Sequence, residues 1–285
     1  MGGFYWIASY PKSGNTWMRM LLASLQAGGA ALSFDTRIAF APVASHFADV
    51  EAVLDVEPTD LTADELAELR HDMAMLIARE APEPQFRKVH DAWGRTPSGR
   101  PLFPPEVTLG TLYLVRDPRD IAVSWAHFSG RTVDETIAFL ARPSQLSRLP
   151  TRASQTAQHL STWSGHVLSW LGAEPTPLVL RYEDMLADPA GALTKAAHHL
   201  GLDTDPQVVA SAVAATRFER LQAEEEEKGF EMGQMEGRNF FRRGEAGGWR
   251  DVLTAEQADR IVCDHGEAME RLGYLATPAR SDAPC

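Results

Sequence analysis

The sequence has 285 residues, carries a formal net charge of −12 and is 44% hydrophobic. This fits one large globular domain or two small ones, and the acidic balance argues against general nucleic-acid binding. No apolar run reaches the ~18 residues of a membrane span, and the first residues lack the pattern of a secretory signal. The two cysteines offer neither a disulfide framework nor a zinc-binding spacing. Together these features favour a reducing cytoplasm.

The first predicted elements are a buried strand and a helix joined by a short polar loop. The run at residues 4–8 is apolar and aromatic, as in buried strands, and the apolar residues from Met18 to Leu25 repeat with helical spacing. Between them lies YPKSGNTW, in which Asn15 or Thr16 is a plausible helix cap. A strand–loop–helix junction directs backbone N–H groups at one point, and Lys12 adds a full charge, which favours an anion site for phosphate. The order G-x-x-x-x-G-K-[ST] is absent, so the loop is a variant phosphate loop or a plain capped turn.

Further along the chain, helices alternate with short strands. The predicted strands are residues 86–90, 107–115 and 178–180. The predicted helices are residues 61–80, 119–128, 155–171, 189–200, 206–215 and 255–272, with one more beginning at Thr132. This alternation predicts an α/β fold, a central mainly parallel sheet covered by helices on both faces. Ligands of such sheets bind beyond the carboxyl ends of the strands, where Lys12, His90, Arg116 and Tyr182 stand.

Several stretches show no steady periodicity and are predicted to be irregular. Residues 30–57 are expected to form a long connection. The run of four acids from Glu224 to Glu227 favours a solvated segment. Residues 228–248, rich in glycine and charge, favour a long functional loop, and residues 276–285 a frayed tail.

Five motifs occur in order: YPKSGNTW, KVH, RDPRDIAVSWAHF, RYEDM and FFRRGEAGGW. Together they resemble the cytosolic-type sulfotransferases, which use 3'-phosphoadenosine 5'-phosphosulfate (PAPS), and the short leader resembles the compact bacterial members. The resemblance covers the chain from Tyr10 to about Thr254. It implies one domain over residues 1–285, a P-loop-like phosphosulfate-binding loop, a cytoplasmic location and a small-molecule acceptor. It also implies PAPS as donor, adenosine 3',5'-bisphosphate (PAP) as product, and no metal.

The resemblance also implies roles for individual residues. Lys12 is expected at the oxygen that bridges phosphorus and sulfur, His90 as the base for the acceptor hydroxyl, and Lys88 at the sulfuryl oxygens. Residues 228–248 are expected to cover the donor as a lid. Donor-binding residues implied by the motifs are Lys12, Ser13, Gly14, Asn15, Thr16, Trp17, Arg116, Ser124, Tyr182, Thr216, Phe218, Phe240, Arg242, Arg243 and Gly244.

Two departures from the family pattern and two alternative functions stand beside this interpretation. Asn15 replaces a threonine that is usual in the animal enzymes, and Arg250, Thr254 and Asp259 match the animal dimer motif only loosely, so homodimerisation stays open. The alternatives are a nucleotide-dependent kinase with a degenerate loop and a non-catalytic PAP binder. The acceptor pocket is expected from residues 30–57, the region after His90 and the loop around Phe230, whose aromatic content favours a partly apolar small molecule over a polysaccharide. The expected acceptor group is the hydroxyl of a phenol or alcohol.

Overall fold

The computed structural model describes residues 2–45, 61–146, 158–229 and 239–275. Its strands are β1 (Phe4–Ser9), β2 (Gln85–Val89), β3 (Thr108–Val115), β4 (Ser144–Leu146), β5 (Gln158–Ser161) and β6 (Leu178–Arg181). Its α-helices are α1 (Asn15–Gln26), α2 (Phe34–Ala39), α3 (Ala63–Glu80), α4 (Pro118–Ser129), α5 (Val133–Leu140), α6 (Trp163–Leu171), α7 (Tyr182–Ala187), α8 (Pro189–His199), α9 (Pro206–Ala215), α10 (Phe218–Lys228) and α11 (Ala255–Arg271). No helix in these ranges has the length and apolar character that a membrane span requires.

The centre of the fold is a four-stranded parallel sheet in the order β2-β1-β3-β6. Side chains of β1 alternate between its faces, so that Phe4, Trp6 and Ala8 join one hydrophobic core and Ile7 joins the other. Helices α3, α4, α5, α6 and α11 contribute to the first core, and α1, α7, α8 and α9 to the second. The predicted α/β fold with a mainly parallel, helix-covered sheet is therefore confirmed, and β4 and β5 form a separate antiparallel pair.

Three of the predicted helix starts, near residues 61, 132 and 255, are confirmed and have a local cause. Thr62 with Glu65, Thr132 with Glu135, and Thr254 with Gln257 each form a capping box at the start of α3, α5 and α11. Each cap is a sequence-local device, because its two partners stand three residues apart. Such caps can be predicted from the sequence, because they do not depend on distant contacts.

Three predictions of elements are wrong, and in two of them a distant partner decides the local structure. The expected helix at residues 155–171 begins only at Trp163, since Gln158–Ser161 pairs with β4. The expected connection at residues 30–57 contains α2, capped by the Ser33 side chain. The acidic run belongs to α10, where the carboxylates of Glu224 and Glu225 are bound by other parts of the chain. Residues 46–57, 230–238 and 276–285, about which predictions were made, lie outside the described residues.

Candidate active site

The carboxyl ends of the four parallel strands border a cavity of about 310 Å3. Its wall comes from the loop between β1 and α1, the residues just after β2, β3 and β6, the start of α10 and the segment around residue 244. The sequence-predicted residues that line it are Lys12, Gly14, Asn15, Thr16, Trp17, Lys88, His90, Arg116, Ser124, Tyr182, Phe218, Phe240, Arg242, Arg243 and Gly244. The two that do not line it are Ser13, which is buried, and Thr216, whose carbonyl oxygen accepts a hydrogen bond from Trp17 Nε1 at 3.1 Å.

The loop before α1 has a backbone that constrains which residues fit. Lys12 and Gly14 have φ of 69° and 93°, in the left-handed region. A Cβ on Gly14 would lie 2.8 Å from the ring of Tyr182, so glycine is required on both backbone and packing grounds. The expected cap from Asn15 or Thr16 is wrong, because α1 begins at Asn15 with no side-chain cap. No described side chain therefore caps the N–H groups of its first turn, as at helix N-termini that bind anions.

Asn15 has a different structural task from capping. Its Nδ2 donates to the carbonyl oxygen of Ile7 at 2.8 Å and to Ser9 Oγ at 3.1 Å, which ties the helix start back to β1. Both amide hydrogens are thereby used, and Oδ1 is buried with no hydrogen-bond partner among the described residues. The Asn15 side chain in this arrangement offers a ligand only an acceptor, so a phosphate contact at Asn15 would come from its backbone N–H.

Two lysines in this cavity have pKa values that burial and neighbouring positive charges lower. Lys12 Nζ lies over the rings of Phe128 and Phe240, at 4.3 and 4.2 Å from their centroids. Burial, together with the positive charge of Arg116, lowers the pKa of Lys12 to about 7. Burial likewise lowers the pKa of Lys88 to about 7, with Arg19 and Lys12 adding to the effect. An anion in the cavity would relieve both repulsions and favour the charged forms.

His90 is held in one tautomer by its surroundings. Its Nδ1 lies 2.8 Å from the carbonyl oxygen of Ser9 and 3.3 Å from Ser9 Oγ. Because a carbonyl oxygen only accepts, Nδ1 carries the hydrogen and Nε2 keeps the lone pair. His166 Nε2 lies 3.1 Å from the His90 carbonyl oxygen, and Tyr113 Oη lies 3.0 Å from His166 Nδ1, which fixes the backbone at this point. Burial, then the charge of Lys88, lowers the pKa of His90 well below its ordinary value, so the ring is neutral.

Arg116 connects three parts of the wall. Its guanidinium donates to the carbonyl oxygens of Lys12 at 3.3 Å and Glu245 at 2.9 Å, and it lies over the ring of Tyr182 at 4.4 Å. Its buried Nε has no partner among the described residues. Arg119, on the next helix, forms a salt bridge with Asp117 at 2.7 Å.

The far side of the cavity is aromatic. Trp17 and Tyr182 meet edge to face with centroids 6.2 Å apart, and Phe218 and Phe240 complete this side. Gly244 has a φ of 62°, and a Cβ there would lie 2.3 Å from the Phe218 ring. The backbone of the second basic motif therefore passes directly over an aromatic ring.

Sequence reasoning missed several residues at this site, of which three bear on its chemistry. Phe128 and Asp120 stand inside the motif RDPRDIAVSWAHF, but their residue types alone did not distinguish a cavity residue from a core or surface one. The run of four acids gave no reason to single out Glu225, although its carboxylate accepts hydrogen bonds from the backbone N–H groups of residues 240 and 241. Such long-range contacts leave no periodic signal in the sequence.

Comparison with known proteins gives a consistent family. A family model described as a sulfotransferase domain matches residues 5–273. Cytosolic sulfotransferase 13 of Arabidopsis thaliana is 27% identical over 274 residues, covering 90% of this chain and 73% of the relative. Sulfotransferase 2A6 of Rattus norvegicus is 24% identical over 259 residues, covering 89% of this chain and 80% of the relative.

Solved structures show the same fold. A structure of retinol dehydratase in complex with androsterone and inactive cofactor PAP has a TM-score of 0.62 at 21% identity, covering 98% of this chain and 82% of that chain. A mouse sulfotransferase complexed with PAP has a TM-score of 0.56 at 19% identity, covering 95% of this chain and 87% of that chain. Because the family model spans nearly the whole sequence and the fold agrees, this chain belongs to the sulfotransferase domain family.

Proposed function

We propose that this chain transfers a sulfuryl group from PAPS to the hydroxyl of a small, partly apolar phenol or alcohol. The proposal rests mainly on one observation, that a single cavity of this acidic protein is lined by Lys12, Lys88, His90, Arg116 and Arg242. A donor with a 5'-phosphosulfate and a 3'-phosphate needs two anion sites. The cavity offers one at the start of α1 and another around the two arginines.

The loop of residues 12–16 fits the 5'-phosphosulfate. The first turn of α1 has no side-chain cap, Lys12 stands beside it, and Ser13 Oγ is buried without a partner among the described residues. These are the donors that an anion at a helix N-terminus would use. This is a P-loop-like use of the loop, although its glycine and lysine stand in a different order.

The 3'-phosphate and adenine fit the remaining walls. Arg116, with its unpartnered Nε, Ser124, Arg242 and Arg243 can hold the 3'-phosphate through charge-assisted hydrogen bonds. The aromatic side provides flat surfaces for adenine from Trp17, Tyr182, Phe218 and Phe240, and Gly244 leaves room for the backbone to approach. Thr216 acts indirectly in this scheme by fixing the indole of Trp17. PAP is bound in the retinol dehydratase and mouse sulfotransferase structures, which supports this donor.

The residues of the cavity divide the chemistry between them. When bound, PAPS supplies a sulfuryl group whose bond to the bridging oxygen breaks as a new S–O bond forms. His90 Nε2 takes the proton of the attacking hydroxyl, since its lone pair is held available by the hydrogen bond of Nδ1 to Ser9. Lys12 stabilises the negative charge on the leaving oxygen, and Lys88 stabilises the sulfuryl oxygens. Positioning and positive charge supply the catalysis without a role for a metal.

Finer aspects of the function follow from the same proposal. We place the chain in the cytoplasm as a single domain over residues 1–285, with the described residues 239–248 of the expected loop covering the donor. The relatives named above come from a plant and a mammal, so assignment to the compact bacterial type stays a prediction. A homodimer is compatible with the sequence but has no support from its loosely matched dimer motif.

A thermal-shift experiment tests the donor directly. PAP at a hundredfold excess over its Kd should stabilise the protein by about 2.7 kcal/mol through mass action, and ATP with magnesium at equal concentration should do much less. PAP is expected to stabilise more than ATP because the arginines bind the 3'-phosphate, which ATP lacks. If ATP with magnesium stabilises the protein as well as PAP does, a kinase is favoured and the proposal fails.

A further inference from the structure

The stretch of residues 240–249, called here the cover segment, carries Arg242, Arg243 and Gly244 along one wall of the cavity. Its first end is bound by Glu225 of α10. Glu225 Oε1 accepts the backbone N–H of Phe240 at 2.6 Å, and Oε2 accepts that of Phe241 at 2.8 Å. Glu225 is only 3% exposed, so both carboxylate oxygens are committed to the cover segment rather than to water.

The second end of the cover segment is bound in the same way by Asp120 of α4. Asp120 Oδ2 accepts the backbone N–H of Gly247 at 2.7 Å, and Oδ1 accepts that of Trp249 at 3.0 Å. Asp120 is also 3% exposed. Two carboxylates from two different helices thus bind four backbone N–H groups, two on each side of the arginines.

Both carboxylates lie where their negative charge would oppose the binding of an anion in the cavity. Asp120 lines the cavity itself, and the charge of Glu225 acts on Lys12. Negative charge there repels an anionic ligand, so these carboxylates weaken binding unless they do something that outweighs the repulsion. Each has both oxygens bound by backbone N–H groups, which disperses the charge and fixes the cover segment at both ends.

We propose that Glu225 and Asp120 are positioning residues for the donor, which together hold the cover segment so that Arg242 and Gly244 stand ready at the 3'-phosphate. Between the two attachment points only short stretches of chain can move, and Arg116 adds a third contact through the carbonyl oxygen of Glu245. A segment already in place has less conformational entropy to lose when the nucleotide binds. The proposal rests on the proposed function, because it assigns the cover segment to a ligand with a 3'-phosphate.

The acidic run offers a matched pair of variants. Glu225→Gln keeps one acceptor oxygen but turns an NH2 group toward a backbone N–H, whereas Glu226→Gln changes an exposed neighbour on the same helix. Asp120→Asn and the exposed Asp184→Asn form the second pair. The Kd values of PAP and of adenosine 5'-monophosphate, which lacks the 3'-phosphate, are measured by calorimetry for all four variants and the parent.

Glu225→Gln and Asp120→Asn should each weaken PAP by about tenfold, the worth of one hydrogen bond to a charged group. Adenosine 5'-monophosphate should be affected much less, and the KM for PAPS should rise while kcat at saturating donor is kept. The two control variants should match the parent. An unchanged ratio of the two Kd values in both test variants would overturn the proposal, since a merely structural role lowers stability without altering discrimination of the 3'-phosphate.

A second measurement covers the case in which the test variants do not fold. In the parent protein without nucleotide, hydrogen exchange of the amides of Phe240, Phe241, Gly247 and Trp249 should be slow, as expected of bonded groups. Exchange as fast as that of exposed amides would overturn the proposed attachment of the cover segment by Glu225 and Asp120. If the parent fails to bind PAP at all, the proposed function fails; if it binds PAP but the variants discriminate normally, only this inference fails.

Discussion

At the scale of single residues, His90 is the clearest case of a side chain prepared by its neighbours. The Ser9 carbonyl sets its tautomer and burial keeps it neutral. His90→Ala should therefore lower turnover by about 10²–10⁴-fold, the usual worth of a general base, while PAP binding is kept. Steady-state kinetics and calorimetry check this, with the exposed His198→Ala as control. Parent-like turnover of the His90 variant on a phenol would show that another group takes the proton.

The two lysines give a prediction about pH. Both have a pKa lowered to about 7 in the free protein, whereas an anionic ligand selects their charged forms. PAP affinity should thus be highest below pH ~7 and fall as the pH rises, by up to about tenfold per unit for each lysine that must gain a proton. His90, with its lowered pKa, is neutral throughout this range and adds nothing to the slope.

Calorimetry at several pH values measures this effect, and buffers of different ionisation enthalpy report the protons taken up on binding. Lys12→Ala should bind PAP more weakly and with a shallower pH dependence. A PAP affinity that stays constant from about pH 7 to about pH 9 in the parent would contradict the electrostatic account of the cavity.

The sequence predicted which side chains line the cavity better than it predicted their hydrogen-bond partners. Lys12, Lys88 and His90 were singled out because their motifs stand at strand ends, where a parallel sheet places ligands, and because these motifs resemble those of the family. The hydrogen bonds of Asn15 to Ile7 and Ser9 were not, because an asparagine at a helix start is equally suited to capping. Only the folded chain shows which of these alternatives the amide takes.

At the scale of elements, the cover segment depends on a glycine. Gly244 combines a φ of 62° with a Cβ position only 2.3 Å from Phe218, so Gly244→Ala must strain the backbone and displace either the ring or the segment. Since both belong to the proposed nucleotide site, PAP affinity should fall in this variant, and the change should cost about 1–3 kcal/mol of stability.

Gly28 provides a matched control for this prediction. Its φ of 68° is similar, but nothing lies within 4 Å of a Cβ built there. Gly28→Ala should therefore share the backbone strain without changing PAP affinity. Calorimetric Kd values and thermal midpoints of both variants separate the two effects, and equal PAP affinity in the two variants would remove Gly244 from the nucleotide site.

Element prediction succeeded at three locally capped helices and failed at two stretches that have distant partners. The three capping boxes mark helix starts correctly because each needs residues only three apart. The stretch at residues 158–161 has helical periodicity yet pairs with β4, and the acids of α10 are bound by α2 and the cover segment. Tertiary partners override local propensity in both cases.

At the scale of the whole molecule, the fold reconciles an acidic chain with an anionic ligand. The net charge of −12 would repel a nucleotide, but the parallel sheet brings the basic loops after β1, β2 and β3 to the same edge. Because these loops are far apart in sequence, their meeting could be predicted only from the strand–helix alternation and the family resemblance. The acceptor side could not be predicted to the same depth, since the residues expected there carry no comparable motif.

The most direct test of the central claim is turnover of PAPS itself. PAPS is incubated with the protein and a panel of phenols and alcohols, and both PAP and sulfated acceptor are followed by chromatography with mass detection. The account predicts that the two products form in equal amounts with the parent and far more slowly with His90→Ala. Stable PAPS with every acceptor, together with tighter binding of ATP and magnesium than of PAP, would contradict it.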